Sequence, residues 1–220
     1  MEKVWVIKRV EEVGIVPVVR ASSAEEAVAV AEVIREGGIP ILEITMTVPG
    51  AISVIAELSK RYGDEVLVGA GTVLDPETAR SCIAAGAQFI VSPALNIHTI
   101  EFCKVQRIAV FPGALTPTEV VTAWDAGADA VKVFPCSAMG GASYLRALKA
   151  PLPEVKLVPT GGVSLANAND FIAAGAWAIG VGADLVNVKA IRAGQGESVV
   201  AAARSYVTAV REARAALNES

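Results

Sequence analysis

The chain carries a single histidine, His98, and three cysteines, Cys82, Cys103 and Cys136, in 220 residues. One histidine excludes any mechanism built on a histidine pair, and its place near the start of a predicted helix reads as a surface or capping residue. The cysteines are odd in number, far apart, and without a Cys-x-x-Cys or Cys/His pairing. That excludes a disulfide framework and a zinc site, and they read as reduced thiols of a cytoplasmic protein. Long apolar runs are also missing: each is broken by charge, Gly or Pro well short of the roughly 20 residues needed to cross a bilayer. The first residues, Met1-Glu2-Lys3-Val4-Trp5-Val6-Ile7-Lys8, lack the apolar stretch and small-residue cleavage site of a secretory signal. A formal net charge of −4, with acids and bases intermixed, gives no footprint for nucleic acid or for an anionic membrane.

A 53% hydrophobic composition and a repeating pattern are present instead. A β-rich segment, a turn and an amphipathic or Ala-rich stretch recur along the chain, with strands expected to start near Gly14, Ile39, Val66, Gln88, Ile108, Ala130, Lys156 and Ala178. Helical runs such as Ala24–Glu36 and Thr118–Ala126 lie between them. Ala85-Gly86-Ala87, Ala126-Gly127-Ala128 and Ala174-Gly175-Ala176 mark junctions where Gly ends a helix in the left-handed conformation. Strands such as Ile15–Val19 and Val66–Val68 read as continuous aliphatic runs, as expected of parallel strands covered on both faces. The expected fold is α/β, a (β/α)8 TIM barrel forming one domain over residues 1–220. A helix carrying Val4, Ile7 and Val10 caps its bottom, and an Ala-rich helix from about Glu197 to Leu217 closes it. A doubly wound sheet is the alternative, but Arg20-Ala21-Ser22-Ser23 stands where a dinucleotide-binding GxGxxG would open the first helix.

Two of these strands each carry one ionisable residue among aliphatic neighbours: Lys132 in Val131-Lys132-Val133 and Glu43 in Leu42-Glu43-Ile44. Burying an ammonium is costly, so such a lysine is either paired or driven toward its neutral, nucleophilic form. Side chains alternate along a strand, so with the aliphatic neighbours facing the helices both charged groups point into the barrel. An amine and a carboxylate sharing one pocket supply an imine-forming nucleophile and a proton carrier.

The reactive face of such a barrel lies where strands end and loops begin. Gly69-Ala70-Gly71-Thr72 ends the third strand with room and a hydroxyl, while Ser92-Pro93 and Phe111-Pro112-Gly113 either shape a rim or stop strands. Phe134-Pro135 walls the pocket. Thr160-Gly161-Gly162 and Gly180-Val181-Gly182 place bare backbone N–H groups beside expected helix starts, the usual phosphate position in these barrels.

In this order and spacing, Leu42-Glu43-Ile44-Thr45, Gly69-Ala70-Gly71-Thr72-Val73, Val91-Ser92-Pro93, Val131-Lys132-Val133-Phe134-Pro135 and Pro159-Thr160-Gly161-Gly162-Val163 resemble the 2-keto-3-deoxy-6-phosphogluconate (KDPG) aldolase and 4-hydroxy-2-oxoglutarate (KHG) aldolase family. The resemblance runs from about Gly14 to Val186. It implies a homotrimeric barrel and a class I aldolase of the Entner-Doudoroff type, acting on small keto acids and aldehydes without metal or organic cofactor. By matching position it makes Lys132 the Schiff-base lysine, Glu43 the general acid/base and Thr72 a contact on the carboxylate side. Pro93 and Phe134 would line the pocket, with Thr160, Gly161, Gly162 and Gly182 at the distal, phosphate end. Two departures stand out. Some members carry an arginine near the end of the second strand, where this chain is read as having Met46; Arg20, at the end of the neighbouring first strand, is expected to bind the substrate carboxylate in its place. Many relatives have a phosphate-binding serine where this chain has Ala183, which leaves open 4-hydroxy-2-oxoglutarate, a galactonate epimer or an unphosphorylated keto-deoxy acid as substrate. A phosphate-ligand isomerase or synthase, and an idle trimeric assembly module, are the readings from other classes.

Overall fold

The computed structural model describes residues 2–218. Helix α1 (Lys3–Val13) ends at Gly14, which takes the left-handed conformation at φ 70° and feeds directly into the first strand. Parallel strands then alternate with helices: β1 (Ile15–Val19), α2 (Ala24–Glu36), β2 (Ile41–Thr45), α3 (Ala51–Tyr62), β3 (Leu67–Gly71), α4 (Pro76–Ala84), β4 (Phe89–Val91), α5 (Ile97–Val105) and β5 (Ala109–Phe111). After Pro112 come β6 (Gly113–Ala114), α6 (Pro117–Asp125), β7 (Val131–Val133), a 3-10 turn at Cys136–Met139 and α7 (Ala142–Lys149). The series closes with β8 (Leu157–Pro159), α8 (Ala168–Ala173), β9 (Ile179–Val181), α9 (Val188–Arg192) and α10 (Gly196–Asn218). Each expected strand is present and begins within two residues of its expected start. The helices start where side chains can take up orphan amides: Ser23, Asp75, Asn96 and Thr116 each accept from the backbone N–H three residues on. Gly86, Gly127 and Gly175 follow α4, α6 and α8 at φ 103°, 101° and 92°, as their Ala-Gly-Ala settings imply.

The strands form a curved parallel sheet in the order β5-β4-β3-β2-β1-β9, and a second parallel sheet in the order β6-β7-β8. The division falls at Pro112, which has no N–H to give to a ladder. On either side of it the chain turns from one neighbour to another: the Phe111 carbonyl accepts from Ser92 N–H at 3.2 Å, and the Pro112 carbonyl from Lys132 N–H at 2.9 Å. At the other margin Trp177 N–H donates to the Leu157 carbonyl at 2.9 Å, and Thr160 bridges to Gly180 in parallel.

Alternation along the strands divides the core into two apolar clusters. Ile15, Val19, Leu42, Ile44, Val68, Ala70, Val131, Val133 and Leu157 pack with the helices. Val16, Ile41, Leu67, Phe89, Phe111, Ala130 and Val158 face the other way and pack on one another, and α1 sends Val6 and Val10 into this inner cluster. Two residues further along the same strands, on the same face as Ile41 and Ala130, come Glu43 and Lys132. The inner face therefore changes from apolar to polar toward the strands' carboxyl ends, where Glu43, Thr45, Lys132 and Thr160 are all buried.

Candidate active site

Glu43 pairs in register with Val18 on one side and Gly69 on the other, while Lys132 pairs with Gly113 and Val158. Both side chains enter the inner space from opposite strands, and Lys132 Nζ comes to 3.6 Å from Glu43 Oε1. Their side chains are 5% and 2% exposed, so the pair sits out of bulk water, where an uncompensated charge is expensive. The separation exceeds the 2.7–3.2 Å of a good N–H···O bond, and Glu43 Oε1 is buried with no hydrogen-bond partner among the described residues. The two groups are thus adjacent but not locked together, and both remain chemically available.

Small residues make this arrangement possible. A Cβ on Gly71 would stand 2.0 Å from Glu43 Oε1, and one on Gly180 would stand 2.1 Å from Thr160 Oγ1. Gly71 is followed by Thr72 at φ 59°, a left-handed conformation that costs a non-glycine residue about 1–3 kcal/mol and is concentrated at functional sites. Phe134 lays its ring 5.5 Å from Lys132 Nζ, close enough for a cation–π contact whenever the amine is charged. Thr45 does not join the pair: its hydroxyl donates to the Val19 carbonyl at 3.0 Å and lies 2.7 Å from Thr47 Oγ1, tying the end of β2 to the end of β1.

Beside Phe134 a cavity of about 450 Å³ opens among the loops that follow the strands. Arg20 and Val18 line it from β1 and its end. Thr160, Gly161, Gly162, Val163 and Ser164 line it from the loop after β8, and Gly182, Ala183, Asp184 and Val186 from the loop after β9. Arg20, Phe134, Thr160, Gly161, Gly162, Gly182 and Ala183 therefore line one cavity, which places Arg20, expected at the carboxylate end, among the residues expected at the distal end. Thr72 and Pro93 do not line this cavity. Thr72 follows Gly71, the residue that abuts the Glu43 carboxylate, and Pro93 packs its backbone against Gly113, the register partner of Lys132.

Two expectations need correcting. Met46 does not present its side chain to the site: its Sδ lies 3.6 Å from Cys82 Sγ of α4, on the helix-facing side, because it follows Thr45 in the strand's alternation. The next residue in that alternation, exposed Thr47, returns to the inner side, its hydroxyl 2.7 Å from that of buried Thr45. The glycine-rich loops, moreover, are not helix starts. The helix α8 begins only at Ala168 and α9 only at Val188, so the amides around Gly161, Gly162 and Gly182 belong to loop backbone. Gly161 and Gly162 are held at φ 87° and 76°.

Sequence reading missed Gly71 as the residue that makes space for the Glu43 carboxyl; its place in Gly-Ala-Gly-Thr, in register with a strand bearing a buried acid, was the available signal. It also missed Asp184, which lines the cavity. None of the three thiols is poised as a thiolate, since burial pushes Cys82 and Cys136 up to about 11 and Cys103 up to about 12. Among the described residues no three His, Cys, Asp or Glu side chains come together as a metal-holding group, and no helix is long and apolar enough to cross a membrane. His98 is exposed on α5, 3.6 Å from Glu101.

The family model described as "Aldolase: KDPG and KHG aldolase" matches residues 6–202. The chain is 37% identical over 170 residues to the 2-dehydro-3-deoxy-phosphogluconate aldolase of Treponema pallidum, covering 77% of this chain and 80% of that one. It is also 37% identical over 201 residues to the 2-dehydro-3-deoxy-6-phosphogalactonate aldolase of Escherichia coli, covering 90% and 95%. Among solved structures, KDPG aldolase from Legionella pneumophila, with pyruvate captured as a covalent carbinolamine intermediate, superposes with a TM-score of 0.84 at 28% identity over 91% of this chain and 97% of that one. A cube-shaped cage designed by fusing symmetric oligomeric domains superposes with a TM-score of 0.85 at 33% identity, covering 94% and 76%.

Proposed function

The chain belongs to the KDPG and KHG aldolase family, a family of carbon–carbon lyases, and from that premise we propose a class I mechanism with Lys132 as the imine-forming amine and Glu43 as the proton carrier. The observation that carries this reading is the buried Lys132–Glu43 pair, 3.6 Å apart just above the apolar inner cluster. Lys132 Nζ, uncharged, attacks the C2 carbonyl carbon of a 2-keto acid. Glu43 delivers the proton with which the carbinolamine oxygen departs as water, leaving a cationic imine. With the Glu43 carboxylate taking the C4 hydroxyl proton, directly or through water, the C3–C4 bond breaks and its electron pair moves into the imine to form the pyruvate enamine. The C4 fragment leaves as an aldehyde. Glu43 returns a proton to C3, and water hydrolyses the imine to free pyruvate and the amine.

The substrate in this reading is 2-keto-3-deoxy-6-phosphogluconate, cleaved reversibly to pyruvate and glyceraldehyde 3-phosphate. Arg20 and Thr72 take the carboxylate, Phe134 and Pro93 wall the reacting carbons, and Thr160, Gly161, Gly162, Gly182 and Ala183 receive the distal end. Ala183 supports a second reading: without a hydroxyl there, 4-hydroxy-2-oxoglutarate, the galactonate epimer or an unphosphorylated keto-deoxy acid is the better substrate. Relatives equally similar to this chain are named for both the gluconate and the galactonate compounds, so a panel of these four substrates is needed to rank them. The chemistry itself is tested by borohydride reduction in the presence of pyruvate. Inactivation with a stable mass adduct on Lys132 is expected; an adduct confined to another lysine, such as Lys156, overturns the mechanism.

The same reading makes residues 1–220 one domain, with both sheets joined as one closed eight-stranded barrel in which β5 and β6 count as a single strand bent at Pro112. The carbonyl switch at Pro112 and the β8–β9 bonds support it. The same reading makes the assembly a homotrimer, and what supports assembly is the likeness to a cage designed by fusing symmetric oligomeric domains. Three free, buried thiols fit a reducing, cytoplasmic setting.

A further inference from the structure

Asp184 stands in the cavity wall directly after Ala183, and its bonding differs from that of the other wall residues. One carboxylate oxygen, Oδ2, accepts from the backbone N–H of Leu165 at 3.0 Å and from the hydroxyl of Tyr206 at 2.5 Å. Leu165 belongs to the loop after β8, Asp184 to the loop after β9, and Tyr206 to α10, so three separate segments meet on one oxygen atom. Tyr206 is fully buried, and burial followed by the Asp184 contact raises its phenol, which keeps the donor proton in place. The loop after β8 has a second stake at the same stretch: Asn167 accepts from Ser164 N–H at 2.8 Å and donates to the Gly162 carbonyl at 2.9 Å. A loop with two left-handed glycines has many conformations to choose from, and these bonds select one of them.

We propose that Asp184, anchored from below by Tyr206, is a positioning residue that holds the loop Gly161–Leu165 in the shape that receives the distal half of the substrate. It acts through that loop rather than on the reacting atoms, and the proposal rests on the aldolase reading above. Pyruvate fills only the Lys132 end of the site, whereas a six-carbon keto acid must also use the distal loops. Loss of the anchor therefore separates two activities that a general loss of structure lowers together.

The experiment compares Tyr206→Phe, Asp184→Asn and Asp184→Ala with the parent enzyme. Two readouts are taken: the KM for cleavage of 2-keto-3-deoxy-6-phosphogluconate and of its galactonate epimer, and the rate of pyruvate methyl exchange in D2O followed by NMR. For Tyr206→Phe a KM increase of roughly 3- to 10-fold is expected, the worth of one buried hydrogen bond, with pyruvate exchange within about twofold of the parent, a factor smaller than one such bond. Asp184→Asn, which keeps an acceptor for Leu165, should fall between the parent and Asp184→Ala. An unchanged KM in Asp184→Ala, or a parallel fall of cleavage and exchange in folded Tyr206→Phe, overturns the positioning role while leaving the aldolase reading intact. Absence of exchange and of a borohydride adduct in the parent enzyme overturns both.

Discussion

Glu43 illustrates how much one side chain depends on an absence next to it. Its carboxyl lies where a Cβ on Gly71 would stand, and that Cβ would meet Oε1 at 2.0 Å and Cδ at 2.6 Å. Gly71→Ala is therefore expected to rotate the acid away from Lys132 and to lower aldol cleavage by roughly 100-fold or more, the range of positioned acid/base catalysis. The fold should survive, as checked by circular dichroism beside the kinetics. Glu43→Gln keeps the shape and removes the exchangeable carboxyl proton, so cleavage and pyruvate exchange should fall together by roughly 10²–10⁴-fold; undiminished exchange would place the proton elsewhere. Lys132 and Glu43 were legible in the sequence because a charge inside an aliphatic strand breaks a pattern that everything around it obeys. Gly71 was not legible as a partner of Glu43, because the contact joins two strands and depends on a register that no local pattern states.

At the scale of elements, the end of β2 shows where alternation must be counted with care. Sequence reading put the family's arginine position at Met46, but the alternation that turns Glu43 inward and Ile44 outward sends the Met46 side chain to Cys82 of α4. Thr47 is the residue that turns back inward, linked through the Thr45 hydroxyl to the carbonyl of Val19, the residue before Arg20. Arg20→Met is expected to raise the KM for pyruvate and for the six-carbon substrate together by roughly 10- to 100-fold, the size of a charge-assisted hydrogen bond. Adding Thr47→Arg should recover part of that loss, whereas Met46→Arg should not. A penalty confined to phosphorylated substrate would move Arg20 to the distal end. Helix α6 offers a prediction free of the site. Thr116 and Glu119 form a capping box in which the Glu119 carboxylate accepts from Leu115 and Thr116 N–H groups at 2.9 and 2.8 Å. Thr116→Ala should cost about 1 kcal/mol of stability, read by denaturant unfolding. The Leu115 and then the Thr116 N–H groups hold the Glu119 carboxyl below its usual range. A carboxyl depressed by folding stabilises above its unfolded value and loses that contribution as pH falls through the folded one. The difference between the parent and Glu119→Gln should accordingly shrink in acid.

For the whole molecule, the order of elements was legible from end to end, since a repeated strand-turn-helix rhythm carries its own periodicity and its own glycine stops. The break at Pro112 was less so: the same Phe-Pro-Gly that reads as a strand ending is where one ladder stops and the next begins a residue later. The loops after β8 and β9 line the cavity, but they are not the helix starts the sequence led one to expect, because Gly-Gly announces a turn without saying how long it lasts.

The seating of Val6 and Val10 of α1 in the inner cluster has a kinetic meaning. With the amino-terminal end of the interior filled by packed side chains, the loop end is the approach to Lys132 among the described residues, and under the proposed mechanism the site is a blind alley with the covalent chemistry at its closed end. On that mechanism the fragment bound to the lysine would be the innermost, so the aldehyde would step out before pyruvate could follow, and in the reverse direction pyruvate would enter first. Product-inhibition patterns should consequently be those of an ordered sequence, with pyruvate competing directly against the keto acid for the free enzyme and the aldehyde unable to do so.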